Sequence, residues 1–243
     1  MGLGLGLGID LASYKSFTLT DISNLSLWLQ HNVGVTNAKW DDSSGNNNHV
    51  TQSNEANQAS HNDIHGGLDF EATESDHYDL TSAITIAERG GFCLAVVLEL
   101  ESNSGTNTIL GKDSNDQIRI DTSTTFTIRA NDPSDVTTSM VFPSGTFDTA
   151  TKMLLLVNRG IGASNVFSFF KNGVALTADV DTSTNEATGE NPNGFDINVL
   201  GAKSGTSNFF DGKILELAFW SKGLSTQEIA DVNSYLKSFH GIN

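Results

Sequence analysis

The chain runs to 243 residues, with 29 acidic against 13 basic side chains and a net charge of −16. Apolar residues make up 37 % and charged ones 17 %, a balance that a disordered chain inverts, and the length suffices for a real hydrophobic core. The acidity excludes nucleic acid and anionic membrane surfaces, since like charges repel over a Debye length of about 8–10 Å, and no apolar run approaches the ~20 residues of a membrane span.

At the N-terminus Leu3, Leu5, Leu7, Ile9 and Leu11 alternate with glycines and Asp10. In an extended chain that pattern puts every large side chain on one face. The glycines leave the other face bare and make ordering alone entropically costly. Residues 1–20 therefore read as an arm that orders by adding to a partner's sheet edge or groove, with a disordered tail as the other reading. A secretory signal needs a positive start and an unbroken apolar core. Neither is present, so synthesis in the cytoplasm without a recognisable export signal is expected.

From Asp21 onward the composition turns to short apolar runs between clusters of Asn, Asp, Ser and Gly. Residues 25–29 (LSLWL) predict a strand. A polar connection leads to Trp40, and 41–67 is a long polar excursion with turns. Short strands follow at 67–70 and 77–80. In 92–101 (FCLAVVLELE) both alternating faces are apolar until Glu99 and Glu101, which predicts an inner strand emerging into solvent. The single cysteine, Cys93, lies in this run and reads as a buried hydrophobe.

Further strands are expected at 108–111, 117–121, 126–130, 152–158, 166–171, 174–176, 195–200 and 213–220. Asn172-Gly173 between two of them supplies the positive φ that a type I′ hairpin turn requires. One helix is expected near the end. Ser225 and Glu228 form a capping box ahead of Ile229, Val232, Tyr235, Leu236 and Phe239, whose spacing makes one apolar stripe, and Gly241 ends it. Many short strands with turns between them predict an all-β fold, a two-sheet antiparallel jelly-roll sandwich with one C-terminal α-helix. The economical division is an arm, 1–20, and one sandwich, 21–243.

Three stretches stand in a particular order: Trp40-Asp41-Asp42-Ser43-Ser44-Gly45-Asn46-Asn47-Asn48-His49; Gly67-Leu68-Asp69-Phe70 continuing to Tyr78-Asp79-Leu80; and Phe210-Asp211-Gly212-Lys213-Ile214 continuing through Trp220, Ser225 and Tyr235 to Gly241. Together they resemble the laminin-G-like branch of the concanavalin A-like lectin/glucanase superfamily over roughly residues 24–243. The resemblance implies a two-sheet jelly roll. It leaves function open, because that family includes lectins, adhesion modules, glycosidases, lyases and virion proteins.

The candidate chemistry divides by residue type. Glu99 and Glu101 share a strand face, about 6–7 Å apart along it, whereas retaining glycosidases hold paired carboxyls about 5–5.5 Å apart. The glucanases of the family carry E-x-D-x-E, and here Leu100 and Asn103 replace two of the three acids, so no catalytic residue is expected. Asp41, Asp42, Asn46 and Asn48 offer hard oxygens suited to calcium, the one ion that stays open. Asx turns account for the same composition, and no Glu closes an EF-hand loop. For glycan binding, which wants an exposed aromatic beside amide hydrogen-bonders, Asn208 and Phe209 are the candidates; Phe210, Trp28 and Trp220 read as core.

Lectin-like sandwiches of this kind usually work outside cells, yet no export signal stands at the start. A phage particle reconciles the two, since its proteins are made in the host cytoplasm and released by lysis. The expectation is a non-enzymatic virion structural protein, a capsid decoration, cement or fibre-type subunit. Its arm would dock on capsid or tail proteins, with a homo-oligomer and a glycan as further partners. A carbohydrate-binding module recognising cell-surface glycans is the alternative, and a glycoside hydrolase or polysaccharide lyase the second.

Overall fold

Residues 92–100 dictate the layout. Phe92, Leu94, Val96, Leu98 and Leu100 fall on one face of an extended strand and Cys93, Ala95 and Val97 on the other, and all are buried. A strand apolar on both faces needs a covering layer on each side. The computed structural model, which describes residues 16–62, 64–130, 136–160, 167–184 and 193–243, supplies a second sheet on one side and a helix on the other.

The first strands are β1 (Leu25–Leu29), β2 (Val35–Thr36), β3 (Lys39–Trp40), β4 (Val50–Thr51), β5 (Leu68–Phe70) and β6 (Tyr78–Ile86). Then come β7 (Phe92–Leu100), β8 (Asn107–Gly111), β9 (Gln117–Ile120), β10 (Thr125–Ala130), β11 (Val136–Val141) and β12 (Met153–Arg159). The last are β13 (Phe167–Lys171), β14 (Val174–Leu176), β15 (Asp179–Thr184), β16 (Phe195–Leu200) and β17 (Gly212–Trp220), followed by helix α1 (Thr226–His240). One sheet has seven strands in the order β1-β17-β7-β12-β13-β14, with β5 also paired to β17; the other has ten, ordered β15-β11-β10-β9-β8-β16-β6-β4-β3-β2. The fold is a two-sheet antiparallel jelly-roll sandwich with a C-terminal helix, as the alternation and turn spacing predict.

Two cores result. Between the sheets lie Trp40, Tyr78, Phe92, Phe126 and Phe219, each at most 1 % exposed. Beneath α1, on the far face of the seven-stranded sheet, lie Trp28, Cys93, Leu156, Trp220, Val232 and Leu236. Burying a side chain of this size stabilises by roughly 1.5–3 kcal/mol, so the second core holds the helix far more firmly than its own propensity does. Burial also pushes the Cys93 thiol well above its ordinary pKa, as expected of a cysteine acting as a small hydrophobe.

Among the described residues, the stretch assigned to the arm already touches the body at its end. Leu19 is fully buried in the second core, and Phe17 meets Tyr235 edge-on at 6.0 Å. Leu3, Leu5, Leu7, Ile9 and Leu11 lie outside the described residues. The hairpin turn at Asn172-Gly173 is as predicted, with φ of 53° and 77° and Lys171 opposite Val174. The capping box is also present: Ser225 Oγ accepts from Glu228 N, and Glu228 accepts from Ser225 N at 2.8 Å. Ser225→Ala is expected to cost about 1 kcal/mol, read as a shift of roughly 2–4 °C in the thermal midpoint.

The structure adds strands where the sequence predicts connections. β2, β3 and β4 each bury one side chain (Val35, Trp40, Val50), too few to make an alternation. β6 continues to Ile86 because Ile84 and Ile86 return to the core after the exposed Thr81, Ser82 and Ala83. β11 and β15 extend the ten-stranded sheet beyond the predicted set. Among the described residues, no helix is long and apolar enough to cross a membrane.

Candidate functional site

Two of the four sheet faces meet in the first core and a third lies under α1. No described helix or sheet covers the fourth, the outer face of the ten-stranded sheet. Ile118, Ile120, Phe126, Ile128 and Met140 point into the core, so their neighbours must point out. Register then writes those neighbours into rows. Thr108 stands opposite Arg119, Arg119 opposite Thr127, and Thr127 opposite Ser139. In the next row Gly111 faces Gln117, and Gln117 faces Arg129.

Gln117, Arg119, Thr127 and Ser139 join one bonded group through Asp121, while Thr108, Gln117 and Thr127 are buried. Arg119 Nε lies 2.8 Å from Asp121 Oδ1, and Arg119 Nη1 donates to Gln117 Oε1 at 3.1 Å. Thr106 Oγ1 donates to Asp121 Oδ1 at 3.1 Å, and the Thr127 hydroxyl donates to Asp121 Oδ2. Thr127 Oγ1 is also 3.0 Å from Ser139 Oγ. Nearby, Lys112 Nζ donates to Asp196 Oδ2 at 2.8 Å. That bond holds the Asp196 carboxyl below the usual carboxylate range and raises the Lys112 pKa. Charge-assisted pairs of this kind fix side-chain positions better than neutral contacts do.

A loop at 201–210 crosses this face. It closes on itself through Phe210 N donating to Gly201 O at 2.8 Å and Lys203 N donating to Ser207 O at 3.0 Å. Beneath it is Gly111, where a Cβ would stand only 2.6 Å from Ala202 O, so the crossing needs glycine. The loop carries both predicted glycan residues. Asn208 O accepts from Thr108 N at 3.2 Å, and Asn208 Nδ2 donates to Gln117 Oε1 at 3.5 Å. Phe209 is partly exposed and its ring lies 6.0 Å from that of His77, whereas Phe210 is fully buried. Gln52 Nε2 donates to His77 O at 2.9 Å and lines a cavity of about 340 Å³ together with Lys39, Thr51 and Asp79. That volume lies at the lower end of the range for small-molecule sites.

The other predicted residues lie elsewhere. Asp42 Oδ1 accepts from Trp28 N and Ser44 N at 2.9 and 2.8 Å, and its Oδ2 accepts from Ser44 Oγ and Asn48 N at 2.8 and 2.9 Å. Asn46 and Asn48 donate to Leu25 O and Ser26 O at 2.6 and 2.8 Å, while Asp41 pairs with Lys39 at 2.8 Å. The group pins its loop to β1 as Asx turns do, with the Asp42 oxygens spent on that turn and on Trp28 N. Glu99 and Glu101 lie 3.4 and 2.8 Å from Lys213 Nζ. Glu101, Asp69 and Glu71 bring carboxylate oxygens within 4.8 Å of one another, at the start of β17 and away from the outer face. Burial, above all, raises the pKa of Asp69 and Glu71; Lys213 opposes it at Asp69.

Gln117, Arg119, Asp121, Thr127 and Ser139 did not stand out in the sequence. Polar residues alternating with Ile118, Ile120, Phe126 and Ile128 did signal which side faces out. Which polar residues meet across strands depends on pairings that local pattern does not specify.

A family model described as the concanavalin A-like lectin/glucanases superfamily matches residues 71–230. No curated protein matches the sequence. Among solved structures, the binding domain of Paraclostridial Mosquitocidal Protein 1 is similar at a TM-score of 0.58 and 12 % identity, covering 90 % of this chain and 53 % of that one. Trypanosoma rangeli sialidase, in complex with 2,3-difluoro-KDN, is similar at a TM-score of 0.53 and 14 % identity, covering 90 % of this chain and 33 % of that one. The chain thus spans about a third of the sialidase and about half of the binding domain, and at these identities the likeness is one of fold.

Proposed function

The chain belongs to the concanavalin A-like lectin/glucanase superfamily, and from that premise we propose that it is a carbohydrate-binding module taking a cell-surface glycan on the outer face of its ten-stranded sheet. One observation carries the reading. The outer sheet face bears a polar row, Thr108–Arg119–Thr127–Ser139, in which Thr108 and Thr127 are buried and Arg119 and Ser139 partly exposed, bordered by a loop that presents Asn208 and the partly exposed Phe209. Sugars need this combination, an apolar ring face to stack on and fixed donors and acceptors for their hydroxyls.

The family contains enzymes as well, and this reading is a binding one. Glu99 and Glu101 are tied to Lys213 at the start of β17 rather than facing the polar row. The virion reading takes its docking arm from the Gly/Leu segment, which lies outside the described residues. The matched proteins named above include no virion component, and the family favours the glycan alternative. The test is affinity electrophoresis of the full chain in gels holding plant, fungal and bacterial polysaccharides. At least one is expected to retard it, and Phe209→Ala to weaken that binding about tenfold, some 1.4 kcal/mol. Retardation that Phe209→Ala leaves unchanged, or hydrolysis of the bound polysaccharide that Glu101→Gln abolishes, would overturn the proposal.

A further inference from the structure

Resting on the glycan reading above, we propose that the ligand is a neutral, hydroxyl-rich glycan whose vicinal hydroxyl pair seats on Arg119 and Asp121, and that sialylated, uronic and sulfated glycans are excluded. Three cations of this face are already matched by carboxylates. Arg119 lies 2.8 Å from Asp121, Lys112 2.8 Å from Asp196, and Lys39 2.8 Å from Asp41. Arg129, in the neighbouring row, is engaged as well. An anionic sugar must displace a carboxylate to reach Arg119, Lys112 or Lys39, and must do so on a chain of net charge −16. The exposed Asp79, on the same face, adds to the repulsion.

A vicinal diol asks for the opposite arrangement. A fixed guanidinium–carboxylate pair offers donors and acceptors side by side, so each hydroxyl accepts from an Arg119 N–H and donates to an Asp121 oxygen. The pair is preorganised: Gln117 holds Arg119, while Thr106 and Thr127 hold Asp121. Preorganised groups lose little entropy when a ligand arrives. Both side chains remain within reach, at 18 and 19 % exposure.

The experiment compares the full chain on neutral probes (mannan, laminarin, dextran) and acidic ones (alginate, polygalacturonate, heparin and a sialylated glycoprotein). Binding to a neutral probe is expected, with an affinity that changes less than about twofold between about 50 and 500 mM NaCl, since no net charge is exchanged. Arg119→Gln and Asp121→Asn, checked for folding by circular dichroism, are each expected to lose about tenfold on that probe. Binding confined to acidic probes, or falling about tenfold or more over that salt range, overturns the neutral assignment and leaves the glycan reading standing. Neutral binding that both folded variants retain overturns the seat on Arg119 and Asp121. Binding to none of these or of any other polysaccharide overturns both readings.

Discussion

Glu216→Ala is expected to lower stability by about 3–5 kcal/mol, the cost of leaving two buried hydrogen-bonded groups without the acceptor they share. Glu216 sits on β17 between two apolar residues and is 1 % exposed. A register shift between Ile214 and Glu216 turns it to the face beneath α1, opposite Val97. There Oε1 accepts from Trp28 Nε1 at 2.7 Å, and Oε2 lies 2.7 Å from His240 Nε2. Lys152 Nζ donates to the His240 carbonyl at 2.6 Å, and the His31 ring stands edge-on to His240 at 5.0 Å. Burial, above all, lowers the His31 pKa, so that ring favours its neutral form beside His240. One carboxylate thus ties β1, β17 and the end of α1 together. Removing it leaves an indole N–H and an imidazole without an acceptor in a dry layer. Urea unfolding followed by tryptophan fluorescence measures the loss, equivalent to roughly 6–20 °C in thermal midpoint for a chain of this size. Glu216→Gln keeps an acceptor and should lose less. A loss below about 1 kcal/mol for the alanine variant would place the pair among ordinary surface contacts.

Glu216 also marks where sequence reading stops. The capping box at Ser225 and Glu228, the Asn172-Gly173 turn and the two-faced alternation of residues 92–98 are local chemistry. Each specifies its structure within a few residues, and the helix, the hairpin and the central strand follow from them. Glu216 lies in an apolar run whose facing is reset by one irregular residue, so no period identifies its burial. The outer face obeys the same division. Asn208 and Phe209 are conspicuous as an amide and an aromatic beside a turn cluster, and the fold brings Asn208 to Gln117 and Phe209 beside His77. Arg119 and Ser139 become neighbours of Thr127 only through cross-strand register. The two-residue strands β2 to β4 are held by pairing in series, with β4 alone on β6, and by one buried side chain each. Neither support shows as a local pattern.

The Gly212→Ala variant should be the more damaging of two alanine substitutions at glycine, with Gly105→Ala as its control. Gly212 has φ of 134°, a region that side-chain-bearing residues enter at about 1–3 kcal/mol. Strain is the smaller part. A Cβ at Gly212 would stand 2.2 Å from Glu99 O and 2.8 Å from Glu101 N, and backbone cannot swing aside as a long side chain does. Gly212 is paired on both sides, with Phe70 of β5 and Leu100 of β7. Making room therefore means parting three strands at the point where Asp69, Glu99 and Lys213 also meet. Partial loss of the β17–β7 ladder exposes the ends of both cores, so the expected loss is at least about 3 kcal/mol, or no folded protein at all. At Gly105 an added Cβ meets nothing within 4 Å, and the change should stay within about 0.5 kcal/mol. Chemical denaturation of both variants side by side makes the comparison. An unfolding free energy for Gly212→Ala within about 0.5 kcal/mol of that for Gly105→Ala would mean that β5 and β7 yield without cost, against the close three-strand packing on which the seven-stranded sheet depends.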